Sequence, residues 1–337
     1  MRLLSLSCKT VIPDREVNKS MKFIIKLKIS VLTIISLLSL STILHADILK
    51  PQSSGYINVS DGKLYYQTFG TGTPIIVLHG GPGLDQGYLL PQMANLAHDH
   101  EVTFYDQRGC GKSLGFNLTP QTINIDTFVQ DLESVRNKLH YKKFILIGHS
   151  WGGLLAMNYA IKYPDHLSGV ILLSSAPSNS TGFELFIQEY VRRTVPLKAT
   201  LDSIAATEKF KTYDHATIED YYRTIFSVYF FKPEEVKNLS LTFTDKSAAS
   251  GLKVQDIFSH NYFNNYDVQN GLRKLNTPVL IVHGEEDLIP LSTAKETKAV
   301  LPNVQMVTIK DCDHFPYIEQ PQTMFSAIKK FVAENDK

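Results

Sequence analysis

The sequence has too few cysteines to be held together by disulfides. Cys8, Cys110 and Cys312 are the only three among 337 residues, which makes no disulfide framework. Cys8 falls in the leader described below, and Cys110 and Cys312 are read either as two free thiols or as one pair. Excess charge of either sign is also lacking. Lys and Arg number 34 against 33 Asp and Glu, a formal net charge of +1, so no global field recruits nucleic acid or acidic lipid. No repeat of 20–50 residues and no low-complexity tract occurs, which argues against solenoids and propellers. No phosphate loop, zinc-ligand spacing or dinucleotide fingerprint appears, so no cofactor and no metal is implied.

The remainder is ordinary globular sequence, 43% hydrophobic and 20% charged. The length suits one large domain with an insertion, or two small domains. The N-terminus differs in kind. Met21-Lys22 opens a basic stretch with Lys26 and Lys28, an apolar run follows from Ile29 to Leu44, and His45-Ala46-Asp47 returns to polar sequence. This predicts a signal peptide starting at Met21 and cut after Ala46, hence export. Leu44 stands where a small residue is preferred, so an uncleaved anchor is the alternative. That anchor would be the only membrane connection.

Past the leader, Gly55–Val59 and Lys63–Phe69 are β-rich runs separated by Ser60-Asp61-Gly62, a hairpin signal. Continuous apolar runs at Pro74–Leu78, Glu101–Tyr105, Phe144–Ile147, Gly169–Leu173, Pro278–Val282 and Val304–Ile309 suit strands buried on both faces. Ile125–Leu139 carries Phe128, Leu132, Val135 and Leu139 on one helical face. Further helices are expected at Leu154–Ile161, from about Thr293 (with Thr293 and Glu296 spaced as a capping box) and near Met324–Ala333. The alternation predicts an α/β fold with a mostly parallel sheet flanked by helices and an antiparallel hairpin at its start. From about Ser178 to Leu272 the alternation stops. The stretch is rich in Phe and Tyr, with helical spacing as in Ile218–Phe231, and reads as an inserted helical cap. The core is then 50–177 and 273–337, and the cap 178–272.

Gly148-His149-Ser150-Trp151-Gly152 is a G-x-S-x-G pentapeptide between a strand and a helix. A sharp reversal there needs small neighbours and lifts the serine hydroxyl clear of the backbone. Serine needs a base within hydrogen-bond reach, and the order serine, acid, histidine is expected. Asp287 follows the strand Val279–His283, with Glu285 and Glu286 as competitors nearer the strand. His314, the last histidine, follows the last strand. Ser150 is therefore the candidate nucleophile, His314 the base and Asp287 the acid that orients it. One oxyanion donor is expected from the backbone of Trp151, the other from the loop His79-Gly80-Gly81-Pro82-Gly83.

With these residues in view, HGGPG at 79–83, DQRGCGKS at 106–113 and GHSWGG at 148–153 resemble the proline iminopeptidase branch of the α/β-hydrolases. GEEDLIP at 284–290 and DHFPYIEQP at 313–321 are similar to the acid and histidine loops of the superfamily. The resemblance implies an α/β-hydrolase fold, Gly81 as the second oxyanion donor, and release of an N-terminal proline or other small residue from a peptide. Acidic cap residues would then receive the substrate ammonium. The Trp-rich segment that carries them in better-known members is missing, Trp151 being the only tryptophan, and Glu184, Glu189 and Glu219 are the candidates. The expected partner is a small molecule or short peptide, with no nucleic acid; nothing in the sequence sets the oligomeric state. An esterase or amidase on small acyl groups is the alternative, and a catalytically silent binding protein on a hydrolase scaffold a more remote one.

Overall fold

The computed structural model describes residues 50–336; the expected signal peptide, with its expected start at Met21 and cut after Ala46, and Cys8 lie outside the described residues. The apolar runs form eight strands: β1 Ser53–Val59, β2 Gly62–Phe69, β3 Thr73–Leu78, β4 His100–Tyr105, β5 Phe144–His149, β6 Leu167–Leu173, β7 Val279–Gly284 and β8 Val304–Ile309. They build one sheet in the order β1-β2-β4-β3-β5-β6-β7-β8. β1 with β2 and β2 with β4 are antiparallel, and every later pairing is parallel. Every residue of β5 and of β7 is buried, as expected where helices cover both faces of a sheet.

Helices of eight residues or more are numbered α1 Ile125–Lys138, α2 Trp151–Lys162, α3 Ser180–Thr194, α4 Lys198–Ala205, α5 His215–Phe226, α6 Asp245–Asn261, α7 Leu291–Val300 and α8 Pro321–Asn335. The Asn124 side chain accepts from the Thr127 backbone N–H to start α1, which buries Phe128, Leu132 and Val135. Between Leu173 and Val279 the named elements are all helical, α3 to α6 among them. The fold is an α/β-hydrolase sheet with a helical insertion between β6 and β7.

Two local expectations fail. Thr293 does not open its helix: α7 starts at Leu291, and the Thr293 hydroxyl donates back to the Pro290 carbonyl at 2.9 Å. Glu296 instead accepts from the side chains of Asn179 and Gln269, at 2.7 and 2.8 Å, so tertiary partners take the group that a capping box would use. Helix also does not persist to Phe231. α5 ends at Phe226 and a 3-10 turn covers Ser227–Tyr229. The chain then extends so that the Phe231 N–H donates to Glu319 at 2.8 Å and Phe230 stacks on Phe315.

The strand order positions the site. From β3 the chain crosses to β4 on one side, then returns to β5 on the other. The carboxyl ends of β3 and β5 therefore flank the point where the order reverses, where open α/β sheets hold ligands. The HGGPG loop follows β3 and Ser150 follows β5, while Asp287 and His314 lie beyond the ends of β7 and β8.

Candidate active site

Ser150 sits at φ 57° and ψ −123° between β5 and α2, in the left-handed region that costs an ordinary residue free energy and collects at functional sites. Its neighbours permit the reversal because they lack side chains. A Cβ on Gly152 would stand 2.5 Å from the Leu78 carbonyl oxygen, and one on Gly148 would collide with the backbone of Gly152. The Ser150 carbonyl accepts from the N–H groups of Gly153 and Ala176, both at 2.9 Å, which fixes the turn.

His314 Nδ1 lies 2.9 Å from Asp287 Oδ1. The same carboxylate oxygen accepts from the Ile289 N–H at 2.9 Å. A carboxylate only accepts, so Nδ1 carries the proton and Nε2 is the ring nitrogen left basic. Burial opposes the charge on Asp287, but His314, His283 and these hydrogen bonds hold its carboxyl below the usual range. Of the two competing carboxylates, Glu285 is exposed and Glu286 accepts from the Cys312 N–H at 3.2 Å.

Ser150 and His314 line one cavity of about 730 Å³, together with Gly81, Trp151 and an aromatic wall from the cap that includes Phe183, Phe186 and Tyr190. Trp151 is the first residue of α2, a position whose N–H has no partner within its helix. Of the candidate cap carboxylates only Glu184, an exposed residue, lines this cavity. Glu189 is taken up by Arg192 and Arg193, which hold it down at about 2 against its partial burial. Glu219 pairs with Arg223 at 2.7 Å.

A family model described as the alpha/beta hydrolase fold matches residues 73–321. A proline iminopeptidase of Heyndrickxia coagulans is 30% identical over 303 residues, covering 83% of this chain and 98% of that protein. This chain is an α/β-hydrolase of the proline iminopeptidase branch. A second proline iminopeptidase, from Clostridium botulinum, is 29% identical over 298 residues, 84% of this chain and 99% of its own. Among solved structures, the proline iminopeptidase of Mycobacterium smegmatis superposes with a TM-score of 0.63 at 21% identity, covering 84% of this chain and 99% of the other. A thermophilic esterase from Thermogutta terrifontis gives 0.58 at 24%, covering 85% and 100%; at such identities the likeness is one of fold.

Three residues inside the quoted motifs DQRGCGKS and DHFPYIEQP support the site through partners that the sequence does not reveal. Gln107, inside DQRG, donates its side-chain amide to the His79 carbonyl at 2.7 Å and accepts from the Trp151 indole at 2.9 Å. It thereby ties the glycine loop to the serine turn. Arg108, fully buried, makes a bidentate pair with Asp131 at 2.8 and 2.9 Å and a second pair with Asp61. Glu319 accepts from the N–H groups of Asp313 and Phe315, which shapes the His314 loop. Cys110 and Cys312 are both free and buried.

Proposed function

We propose that this hydrolase is a serine aminopeptidase that releases an N-terminal proline or another small residue from peptides. The observation that carries the reading is the Asp287–His314 hydrogen bond behind a cavity that Ser150 and His314 share. Ser150 Oγ attacks the carbonyl carbon as its proton passes to His314 Nε2. The C–N bond then breaks with that proton delivered to the leaving amine, and water repeats the sequence on the acyl-serine. The N–H groups of Gly81 and Trp151 receive the oxyanion; one such donor is worth roughly 3–4 kcal/mol in the transition state. Glu184, the cap carboxylate facing the cavity, receives the substrate ammonium. The basic and apolar segment from Met21 to Ala46 supports action outside the cytoplasm; recovery of the mature protein from the cytoplasmic fraction would overturn that part.

The test is hydrolysis by residues 47–337 of a proline arylamide with free N-terminus, its N-acetylated form and a short-chain aryl ester, each against Ser150→Ala. Cleavage of the free arylamide that is lost on acetylation supports the aminopeptidase. The aromatic cavity wall favours a second reading, an esterase or amidase on apolar acyl groups, and activity on the ester alone would establish it. A folded sample that no fluorophosphonate labels at Ser150 would leave only a binding protein.

A further inference from the structure

We propose that Tyr88 and His149 are positioning residues for hydrolysis, tying the glycine loop to the main chain of His314 through a hydrogen-bond chain with a single direction. The inference rests on the reading of Ser150 and His314 as the reacting pair. His149 Nε2 lies 2.9 Å from the His314 carbonyl oxygen. A carbonyl only accepts, so Nε2 carries the proton and Nδ1 of the neutral ring is bare. Nδ1 lies 2.7 Å from the Tyr88 hydroxyl, which must donate to it. The hydroxyl oxygen in turn accepts from the Gly80 N–H at 2.6 Å. Tyr88 is 2% exposed and His149 1%, so no solvent competes for these groups. Burial, and then the neighbouring His314, push His149 down to about 3, and burial raises Tyr88, which keeps both in the required forms.

The chain acts on both halves of the site. At one end, the Gly80–Gly81 peptide carries the N–H assigned to the oxyanion. Its carbonyl, Gly80 O, accepts from His79 Nδ1–H at 2.9 Å, because His79 Nε2 is occupied by the Gln107 N–H. With Tyr88 holding the Gly80 N–H as well, Gly80 is fixed from both sides and the direction of the Gly81 N–H is set. At the other end, the His314 N–H donates to the Tyr229 carbonyl at 3.1 Å. The His314 backbone is thus held by the cap on one side and by His149 on the other, while its ring is aimed by Asp287. His149 also stacks against Phe315, the next residue of the histidine loop. Preorganised donors depend on such placement, and a displacement of ~1 Å can cost 10²-fold in rate.

The test reads Ser150 reactivity directly, with a fluorophosphonate as probe and no assumption about substrate. In Tyr88→Phe the maximal labelling rate is expected to fall about tenfold, with the half-saturating probe concentration within about twofold. His149→Gln is expected to fall similarly, and the double variant to be no more than about threefold slower than the slower single, because each change cuts the same chain. Labelling of Tyr88→Phe at the unsubstituted rate, or fully additive losses in the double variant, would overturn the proposal while leaving the serine hydrolase intact. No labelling of the unsubstituted chain would overturn both. Should a variant not fold, nitrogen-15 histidine spectra of the unsubstituted protein at pH 7 decide: a neutral His149 protonated on Nε2 supports the chain, and an Nδ1–H tautomer or an imidazolium refutes it.

Discussion

Arg193, near the end of the first cap helix, ion-pairs with Asp313, the residue immediately before His314. The same guanidinium donates to the Glu286 carbonyl at 2.6 Å and the Val228 carbonyl at 3.1 Å, and its Nε pairs with Glu189 at 2.7 Å. One cap side chain therefore grips both the loop that carries Asp287 and the loop that carries His314. Asp313 is buried and accepts from the Leu288 N–H at 2.7 Å through its other oxygen. Burial, and then the charge of Asp287, push its carboxyl up, against which Arg193 acts.

Removing that cation leaves a buried carboxylate beside Asp287. Arg193→Ala is expected to destabilise the fold by roughly 3 kcal/mol and to slow Ser150 labelling about tenfold. Arg192→Ala removes a 70% exposed side chain and should leave the urea midpoint and the labelling rate essentially unchanged. Urea unfolding and probe kinetics on the two variants check this, and equal effects would refute the cap's grip on the histidine loop.

Asp287→Asn should lower kcat on the order of 10⁴-fold, because an amide donor facing Nδ1 favours the wrong imidazole tautomer. Glu286→Gln should leave kcat within a few-fold, since that carboxylate accepts from the Cys312 N–H and not from His314 among the described residues. A reversed order in steady-state rates would reassign the acid.

The contrast between Asp287 and Arg193 shows what was legible in the sequence. Ser150, Asp287 and His314 each follow a strand visible as a local apolar run, so their common placement follows from the order of the strands. Tyr88, Gln107, Arg193 and Glu319 act through partners brought close only by folding; Arg193 and Asp313 are 120 residues apart. Tyr88 lies in a 3-10 turn, Gln86–Tyr88, with no periodicity to mark it. Thr293 and Glu296 show the converse failure. Their spacing signals a capping box, yet Glu296 is claimed by Asn179 and Gln269 across the cap junction.

Half-buried Asp85 and buried Asp106 lie close together, both against Gly111. Burial, and then the charge of Asp106, push Asp85 up to about 7, and burial also raises Asp106. For a carboxyl raised in the folded state, the unfolded chain releases its proton first. The stabilisation is therefore complete below about pH 4 and is lost as pH rises through about 7. Asp85→Asn keeps an acceptor for the Gly87 N–H, now at 2.7 Å from Asp85, and removes the titration. Relative to the unsubstituted chain, the variant should gain at least about 1.4 kcal/mol between pH 5 and pH 8.5. The same stability difference at both values would sink the assignment.

Cys110 and Cys312 are both fully buried, and burial raises both thiols. Since the thiolate is the reactive form, neither should react with a water-soluble disulfide reagent in the native state. Both should react in denaturant. One thiol titrating rapidly without denaturant would mean that its loop opens to solvent.

Glu184 separates the two substrate readings. It lines the cavity and is exposed, and it has an uncharged neighbour of similar reach in Gln188, one helical turn on, which also lines the cavity. If the carboxylate pairs with a substrate ammonium, Glu184→Gln keeps the shape and removes the charge. The loss should then appear in kcat/KM for the free proline arylamide, by about fivefold, the upper scale of one exposed ion pair. Hydrolysis of the aryl ester, which carries no ammonium, should change less than about twofold. Equal effects on both substrates would mean that Glu184 acts through the shape of the cap. An unchanged arylamide rate would mean that the amine is read by the cavity's uncharged polar groups, Gln255, Ser259 and Asn264, or is not read at all.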